Sequence, residues 1–159
     1  MTELVVADTT VWCNFAHAGQ PRLVPAAYPG VTSPQEVLDE IAEGQRLGHL
    51  GDFDWRFIQR VRLTRDEEKR AERLQGGALG RGEAACLAVA VARGVVVLTD
   101  DRDARAAAGF LEVQVSGTLG VLLHLVDMGA MSVTEADGLL MEMIRAGYRS
   151  PVASLTQLS

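Results

Sequence analysis

Four carboxylates stand where apolar segments of the chain end or begin. Asp8 follows the apolar run Leu4–Ala7, and Glu83 opens a helix-like segment made mostly of Ala, Val and Leu. Asp100 and Asp101 follow the run VVVLT, whose β-branched residues are typical of a strand buried on both faces. Two adjacent acids at the end of such a strand are costly if they serve the fold alone. The pattern therefore indicates a functional site.

Acids that meet in one crevice favour the chemistry of a bound cation. Converging carboxylates repel one another and bind protons more tightly unless a cation neutralises them. Hard divalent cations prefer oxygen ligands, and Mg²⁺ combines a few carboxylates with water and substrate phosphate oxygens. Such a site activates water and stabilises in-line displacement at phosphorus. Glu40, which shares an amphipathic segment with Asp39 and Glu43, is a further candidate for this crevice.

Each acid also has a structural interpretation. Asp8 can cap a helix, Glu83 can favour the positive end of a helix dipole, and Asp103 can cap a helix or pair with Arg105. When each acid is considered singly, the structural interpretation is favoured for Asp103, whereas the structural and functional interpretations are evenly balanced for Asp8 and Glu83. Glu36 is better explained by a helix-capping box. The combination of acids is more specific than any one of them.

Strands and helices are predicted to alternate, which favours a mostly parallel sheet covered on both faces. Ligands of such folds bind at the carboxyl ends of the strands, where the strand order reverses. The apolar patterns and turn residues predict strands at Leu4–Ala7, within Phe57–Leu63, at Val95–Thr99 and at Leu111–Val115. Capping residues and glycines predict helices from Asp8 to about Ala18, Ser33 to about Leu47, Thr64 to Gly76, Glu83 to Gly94, Arg102–Ala108, Thr118–Met128 and Thr134–Ala146, with a proline-rich loop at Gln20–Thr32.

Composition bounds the class of protein. The 159 residues suggest one globular domain, and the net charge of −6 disfavours a general binder of polyanions. The basic stretch Arg56–Arg73 also contains acids, so it is interpreted as a solvated helix face. Neither a signal peptide nor a membrane span of roughly 20 apolar residues is expected. Cys13 and Cys86 are interpreted as reduced, buried thiols of a cytoplasmic protein.

Five segments, in this order, resemble motifs of PIN-domain proteins, especially the VapC-like ribonuclease toxins. They are VVADTTVW, VLDEI, LGRGEAACLAVA, VVVLTDDRDAR and GTLGVLLHL, and together they span roughly residues 4–128. The resemblance implies a three-layer α/β/α fold with a mostly parallel central sheet. We expect a single PIN-like domain over residues 1–159, with a helical C-terminal extension from about residue 132.

The resemblance also implies an activity and a site. It implies an endoribonuclease that depends on Mg²⁺ or Mn²⁺, acts as a homodimer and is neutralised by a cognate antitoxin. The family's acids fall on Asp8, Glu40, Glu83 and Asp101. The remaining candidates are Asp100 and Asp103 as further metal ligands, Thr9, Thr10 and Thr99 as polar supports, and Arg81, Arg102 and Arg105, which flank the acids, as phosphate-binding residues.

The chain departs from the family pattern at two places. Glu83 stands where many PIN nucleases have Asp, and Ala104 and Arg105 stand where an aromatic residue usually follows the last acid. A catalytically silent PIN-like module that binds RNA or protein is therefore the alternative.

Two other classes of protein that use acids in this way are disfavoured. A haloacid-dehalogenase-type phosphatase would need Asp where Thr10 stands. A receiver domain would need a late Lys, whereas Lys69 is the only lysine of the sequence.

Overall fold

A five-stranded parallel sheet lies at the centre of the computed structural model, which describes residues 3–158. The strand order is β3-β2-β1-β4-β5. Since β1 lies between β2 and β4, the order reverses beside it, and a crevice forms where β1 and β4 end. The strands are β1 (Leu4–Ala7), β2 (Gly30–Pro34), β3 (Gln59–Val61), β4 (Val96–Leu98) and β5 (Val115–Ser116).

Helices cover the sheet and give the three-layer α/β/α architecture that the sequence predicts. Helix α5 packs against β1, β2 and β4 and also contacts α3, α4 and α6, whereas α1, α2, α7 and α8 contact one another. None of the helices described is long and apolar enough to cross a membrane. The helices are α1 (Thr9–His17), α2 (Leu23–Ala27), α3 (Gln35–Arg46), α4 (Arg65–Leu74), α5 (Arg81–Arg93), α6 (Arg102–Phe110), α7 (Thr118–Asp127) and α8 (Val133–Arg145), followed by a 3₁₀ helix at Leu155–Leu158.

Helix α5 can lie against the sheet because its residues are small. From Ala84 to Ala90 every side chain is buried, and the alanines let the helix backbone approach the strands closely. Gly94 ends the helix in the left-handed conformation, with φ of 66°, as a C-terminal glycine is expected to do. Both cysteines are free, as predicted, but only Cys86 in α5 is fully buried; Cys13 in α1 is partly buried, so the prediction of a buried thiol is wrong there. This packing fixes the N-terminus of α5 beside the end of β1.

The loop predicted at Gln20–Thr32 is wrong, because this segment contains α2 and most of β2. The predicted cap at Ser33 is wrong for the same reason. Ser33 is buried at the end of β2, where its hydroxyl donates to the Ala7 carbonyl oxygen at 2.6 Å and accepts from Trp12 Nε1 at 2.9 Å. Helix α3 instead begins after Pro34 without a side-chain cap, so Glu36 belongs to no capping box. Pairing with strands that are distant in the sequence outweighs the local preference of these residues for turns and caps.

The region after α6 also differs from its prediction. Helix α6 continues through Gly109 to Phe110, and the chain then turns at Glu112, which has φ of 59°. The strand predicted at Leu111–Val115 is therefore shifted to Val115–Ser116, which pairs with β4. The apolar alternation of Leu111 and Val113 reflects packing against the core rather than strand pairing. By contrast, α4 and α8 start close to their predicted positions, because each begins with a capping box whose contacts are local, formed by Thr64 with Glu67 and by Ser132 with Glu135.

A buried acid that joins α4 to α5 gives a prediction for stability. Glu67 is 3% exposed and accepts hydrogen bonds from Arg93 Nε and Nη2, each at 2.8 Å. Arg93 lowers the pKa of Glu67 from 4.5 to about 2. Glu67→Gln is expected to reduce the free energy of unfolding by about 2 kcal/mol at neutral pH, measured by chemical denaturation. The difference in stability between wild type and variant should shrink as pH falls from about 4.5 through about 2. The interaction that lowers the pKa of Glu67 in the folded protein stabilises it fully only above this window, where Glu67 is ionised.

The matched control removes an acid from an exposed ion pair. Glu43 pairs with Arg46 three residues along α3, and both side chains are more than half exposed. Glu43→Gln should leave the free energy of unfolding nearly unchanged, because solvent screens an exposed pair. Equal losses in the two variants would contradict the role given to burial of Glu67.

Candidate active site

A cavity of about 900 Å³ opens where β1 and β4 end, and acids from four different elements line it. Asp8 follows β1, Glu40 lies in α3, Glu83 lies in the first turn of α5, and Asp100 and Asp101 follow β4. Their nearness follows from the topology, because adjacent parallel strands deliver their carboxyl ends to one edge. Asp103 lies in the first turn of α6, is exposed, and does not line this cavity.

Asp8 is the most deeply buried of these acids, with 1% of its surface exposed. Its Oδ1 accepts from the Thr10 backbone N–H at 2.9 Å and from the Thr10 hydroxyl at 2.5 Å, and its Oδ2 accepts from the Thr99 hydroxyl. Burial, with a contribution from the charge of Glu83, raises the pKa of Asp8 to about 7, although the two hydroxyls oppose the shift. A cation beside Asp8 would remove most of this cost.

The two threonine hydroxyls also join Asp8 to the backbone after β4. The Thr10 hydroxyl accepts from the Asp100 N–H at 2.9 Å, and the Thr99 hydroxyl accepts from the Asp101 N–H at 3.0 Å. The main-chain N–H of Asp8 donates to the Leu98 carbonyl oxygen at 3.0 Å. The ends of β1 and β4 are therefore held together at the floor of the cavity.

Glu40 reaches the cavity because residue 82 has no side chain. A Cβ added to Gly82 would lie 1.8 Å from Glu40 Oε1, closer than any real contact. The same oxygen accepts from the Thr9 hydroxyl at 3.1 Å. Burial and the charge of Glu83 raise the pKa of Glu40, while Thr9 and Arg81 oppose the shift. The glycine therefore determines where this carboxylate lies.

The adjacent acids after β4 have different surroundings. Asp100 Oδ1 accepts from the Thr118 N–H at 2.9 Å, and its Oδ2 accepts from the Thr118 hydroxyl at 2.5 Å and from Asn14 Nδ2 at 2.9 Å. Asp101 caps α6 through one oxygen, since Oδ2 accepts from the Ala104 N–H at 2.8 Å. Within residues 3–158, no hydrogen bond reaches Asp101 Oδ1. Asp100 thus ties the fold together, and Asp101 keeps one oxygen free.

This difference predicts that the same substitution destabilises the protein at Asp100 and has little effect on stability at Asp101. Asp100→Asn should reduce the free energy of unfolding by about 1–3 kcal/mol, because an amide NH₂ would face the donors of Thr118 or Asn14. Asp101→Asn should change it by less than about 0.5 kcal/mol, because Asn is as good an N-cap as Asp. Chemical denaturation of the two variants measures the contrast. A larger loss for Asp101→Asn would contradict this division of roles.

Independently of the geometry of the cavity, the sequence matches a family of known proteins. The matching family is described as PIN domain, and the match covers residues 4–158. The chain belongs to the PIN-domain family. PIN domains are generally nucleases, and they typically use divalent metal ions. The match runs through α8 to the 3₁₀ helix, beyond the motifs that end near residue 128. The chain matches no curated protein and no solved structure.

The donor set of this PIN domain suits a hard divalent cation in kind, because it consists of carboxylate oxygens. Within residues 3–158, no group of three or more His, Cys, Asp or Glu side chains is positioned to hold a metal ion. Hydroxyls and backbone N–H groups occupy the carboxylates instead, as the contacts of Asp8 and Glu40 show. The residues therefore suit a divalent cation in ligand type and charge, although the described side chains are not arranged as a ready-made metal site.

Three arginines were candidates for binding phosphate, and the structure separates them. Arg102 and Arg105 line the cavity, and Arg105 Nη1 donates to the Thr99 carbonyl oxygen at 2.7 Å. Arg81 lies at the start of α5 and lines a different cavity, between α3, α4 and α5. Its charge still acts on Glu40.

Sequence reasoning missed part of this PIN domain's cavity. Tyr148 and Arg149, which follow α8, form one of its walls, and Asn14 contributes from α1. No local pattern marks these residues, because Tyr148 and Arg149 lie more than 40 positions beyond Asp101 in a segment that ends at a proline. Only the packing of α8 against α1 and α7 brings this segment to the site.

Proposed function

We propose that this PIN domain is a Mg²⁺- or Mn²⁺-dependent endoribonuclease that hydrolyses RNA phosphodiester bonds. The observation that carries the proposal is the single cavity lined by Asp8, Glu40, Glu83 and Asp101. The raised pKa of Asp8 adds support, because buried acids near one another are typical of sites built for cations.

Each group in the proposed site has a distinct role. Asp8, Glu83 and Asp101 would hold the metal, with Glu40 completing the acidic wall. When bound, the metal would lower the pKa of water and neutralise charge that develops on the phosphate. Thr10 and Thr99 orient Asp8 through the hydrogen bonds described above, and Thr9 orients Glu40.

The remaining candidates take lesser roles in this proposal. Asp100 has both oxygens occupied by Thr118 and Asn14, so it serves as a positioning residue. Asp103 lies outside the cavity and is assigned no ligand role. The guanidinium groups of Arg102 and Arg105 would bind phosphate oxygens of the RNA.

We also propose that this protein is a toxin that an antitoxin neutralises, because its motifs resemble those of VapC-like toxins. The protein would act as a homodimer in the cytoplasm and would be neutralised by a cognate antitoxin. A small DNA-binding protein encoded in the adjacent reading frame would support this setting. Co-expression with that protein should abolish RNA cleavage, and unaffected cleavage would contradict the toxin assignment.

A cleavage assay with matched variants tests the proposed activity. Wild-type protein should cleave RNA with Mg²⁺ or Mn²⁺ and lose cleavage in chelator. Asp101→Asn should reduce the rate by at least about a hundredfold, because it replaces a charged ligand. Asp103→Asn is the control: it removes an acid two residues away that does not line the cavity, so it should retain the wild-type rate. Equal rates for wild type and Asp101→Asn would exclude this site.

One observation favours the second candidate, a catalytically silent PIN-like module that binds RNA or protein. The described residues hold no ready-made group of three metal-binding side chains. Titration with Mn²⁺ separates the two candidates. Binding that Asp101→Asn weakens supports the nuclease, whereas no binding by wild type favours the silent module.

A further inference from the structure

The segment after α8, residues 147–151, is held in a defined position at the edge of the acidic cavity. Gly147 turns the chain with φ of 118°, and the Tyr148 N–H donates to the Met143 carbonyl oxygen at 3.0 Å. Beyond it, Asp137 of α8 accepts from the Leu155 N–H at 2.8 Å and from the Ser154 hydroxyl at 2.8 Å. The segment is therefore anchored at both ends.

Residues of this segment also line a second cavity, of about 280 Å³, that adjoins the first. Arg105, Tyr148 and Arg149 line both cavities, as does Asp100. Gly117 and Gly120 complete the second cavity on the side of α7. A Cβ at Gly117 would lie 2.4 Å from Asp100 Oδ1, and one at Gly120 would lie 1.9 Å from Ser116 Oγ. A side chain at either position would therefore displace a residue that lines this cavity.

The second cavity carries a net positive charge, because two arginines, Arg105 and Arg149, face the single carboxylate of Asp100. Within residues 3–158, Arg149 makes no hydrogen bond or ion pair, and Arg105 uses only Nη1, on the Thr99 carbonyl oxygen. The carboxylate of Asp100 is occupied by Thr118 and Asn14 rather than by either arginine. Tyr148 lines the same cavity; burial and the charge of Asp100 raise the pKa of its hydroxyl, while Arg105 and a hydrogen bond with Ser150 oppose the shift. The cavity therefore presents donors suited to an anion.

We propose that this second cavity is a subsite for an RNA backbone phosphate next to the one that is cleaved, bound by Arg105 and Arg149. We call it the C-terminal subsite. Guanidinium groups bind phosphate through charge-assisted, often bidentate hydrogen bonds. The acids of the first cavity repel RNA, so the arginines at its border would supply the attraction that holds the strand. The inference rests on the proposed ribonuclease function and gives α8 and the segment after it a role in substrate binding.

Binding of a short, fluorescein-labelled single-stranded RNA in chelator tests the subsite without cleavage. Arg149→Gln should weaken binding about tenfold and reduce the magnitude of the slope of log K against log salt by about 0.7, the contribution of one phosphate contact on a single strand. Arg145→Gln is the matched control: it removes the same charge from the end of α8, where Arg145 is exposed and pairs with Glu142. It should change neither quantity.

The outcomes separate this inference from the proposed function. Unchanged affinity and salt slope for Arg149→Gln, an equal loss for Arg145→Gln, or no RNA binding by wild type each overturns the subsite. Inorganic phosphate should displace RNA more effectively from wild type than from Arg149→Gln, and equal displacement overturns the subsite. If Arg149-dependent binding is found but wild type with Mn²⁺ does not cleave RNA, the phosphate-binding role of the cavity stands, and the nuclease, with any cleaved phosphate beside this cavity, fails. If wild type cleaves and Arg149→Gln has the same KM, the nuclease stands and the subsite fails.

Discussion

Asp8→Asn is expected to abolish RNA cleavage while making the metal-free protein more stable at neutral pH. The variant should cleave at least about a thousandfold more slowly, because it removes the charge at the centre of the proposed metal site. Its free energy of unfolding above pH 7 should rise by about 1–3 kcal/mol, because the amide carries no charge to bury and the Thr99 hydroxyl, unlike the N–H donors that face Asp100, can rotate to accept from it. Cleavage assays and chemical denaturation in chelator measure the two effects.

The gain in stability should depend on pH. The folded-state pKa of Asp8 is raised from 3.8 to about 7, so ionisation favours the unfolded chain as pH rises through this window. Wild type should therefore lose stability relative to Asp8→Asn between about pH 4 and pH 7, and the difference should be smallest below this window. A variant that is destabilised equally at all pH values would contradict this account of Asp8.

Metal should reverse the order of stability. Mn²⁺ in excess should raise the unfolding temperature of wild type, because a ligand that binds only the folded state stabilises it by mass action. Asp8→Asn should show little change under the same conditions. If Mn²⁺ stabilises both proteins equally, the ion binds elsewhere and Asp8 does not hold it.

Gly82→Ala is expected to reduce cleavage about a hundredfold with little loss of stability. The added methyl group would occupy the position of Glu40 Oε1, so the carboxylate must move away from Thr9 and out of its place in the cavity. A displacement of about 1 Å in an active site can lower the rate by this amount. Stability should change little, because the displaced atom ends a flexible side chain and Ala favours helix over Gly. Steady-state kinetics and thermal unfolding together measure the contrast.

Two further variants show whether the effect passes through Glu40. Gly138 lies within α8, and a Cβ there would meet nothing within 4 Å, so Gly138→Ala should keep the wild-type rate. If Gly82→Ala acts by moving Glu40, the double variant Gly82→Ala/Glu40→Ala should cleave RNA at the same rate as Glu40→Ala alone. Additive losses in the double variant would show that Gly82 matters for another reason.

Local patterns in the sequence were sufficient for much of the fold. Apolar runs marked β1 and β4, capping residues marked the starts of α4 and α8, and Gly94 marked the end of α5, because each depends on residues close together in the chain. Segment Gly30–Pro34 was missed as a strand because its glycine and proline are turn residues. Burial between β1 and β3 supplies the pairing that makes it a strand.

The sequence by itself determined that acids follow β1 and β4 and begin α5, because a buried apolar segment can carry charge only where it reaches the surface. The tertiary structure decided how those acids differ. Asp100 and Asp101 are equivalent in sequence pattern, yet Thr118 and Asn14, both distant in the chain, occupy Asp100 and leave an oxygen of Asp101 free. Packing of α8 likewise brought Arg149 to the cavity. Such contacts depend on where whole helices pack, which no local pattern encodes.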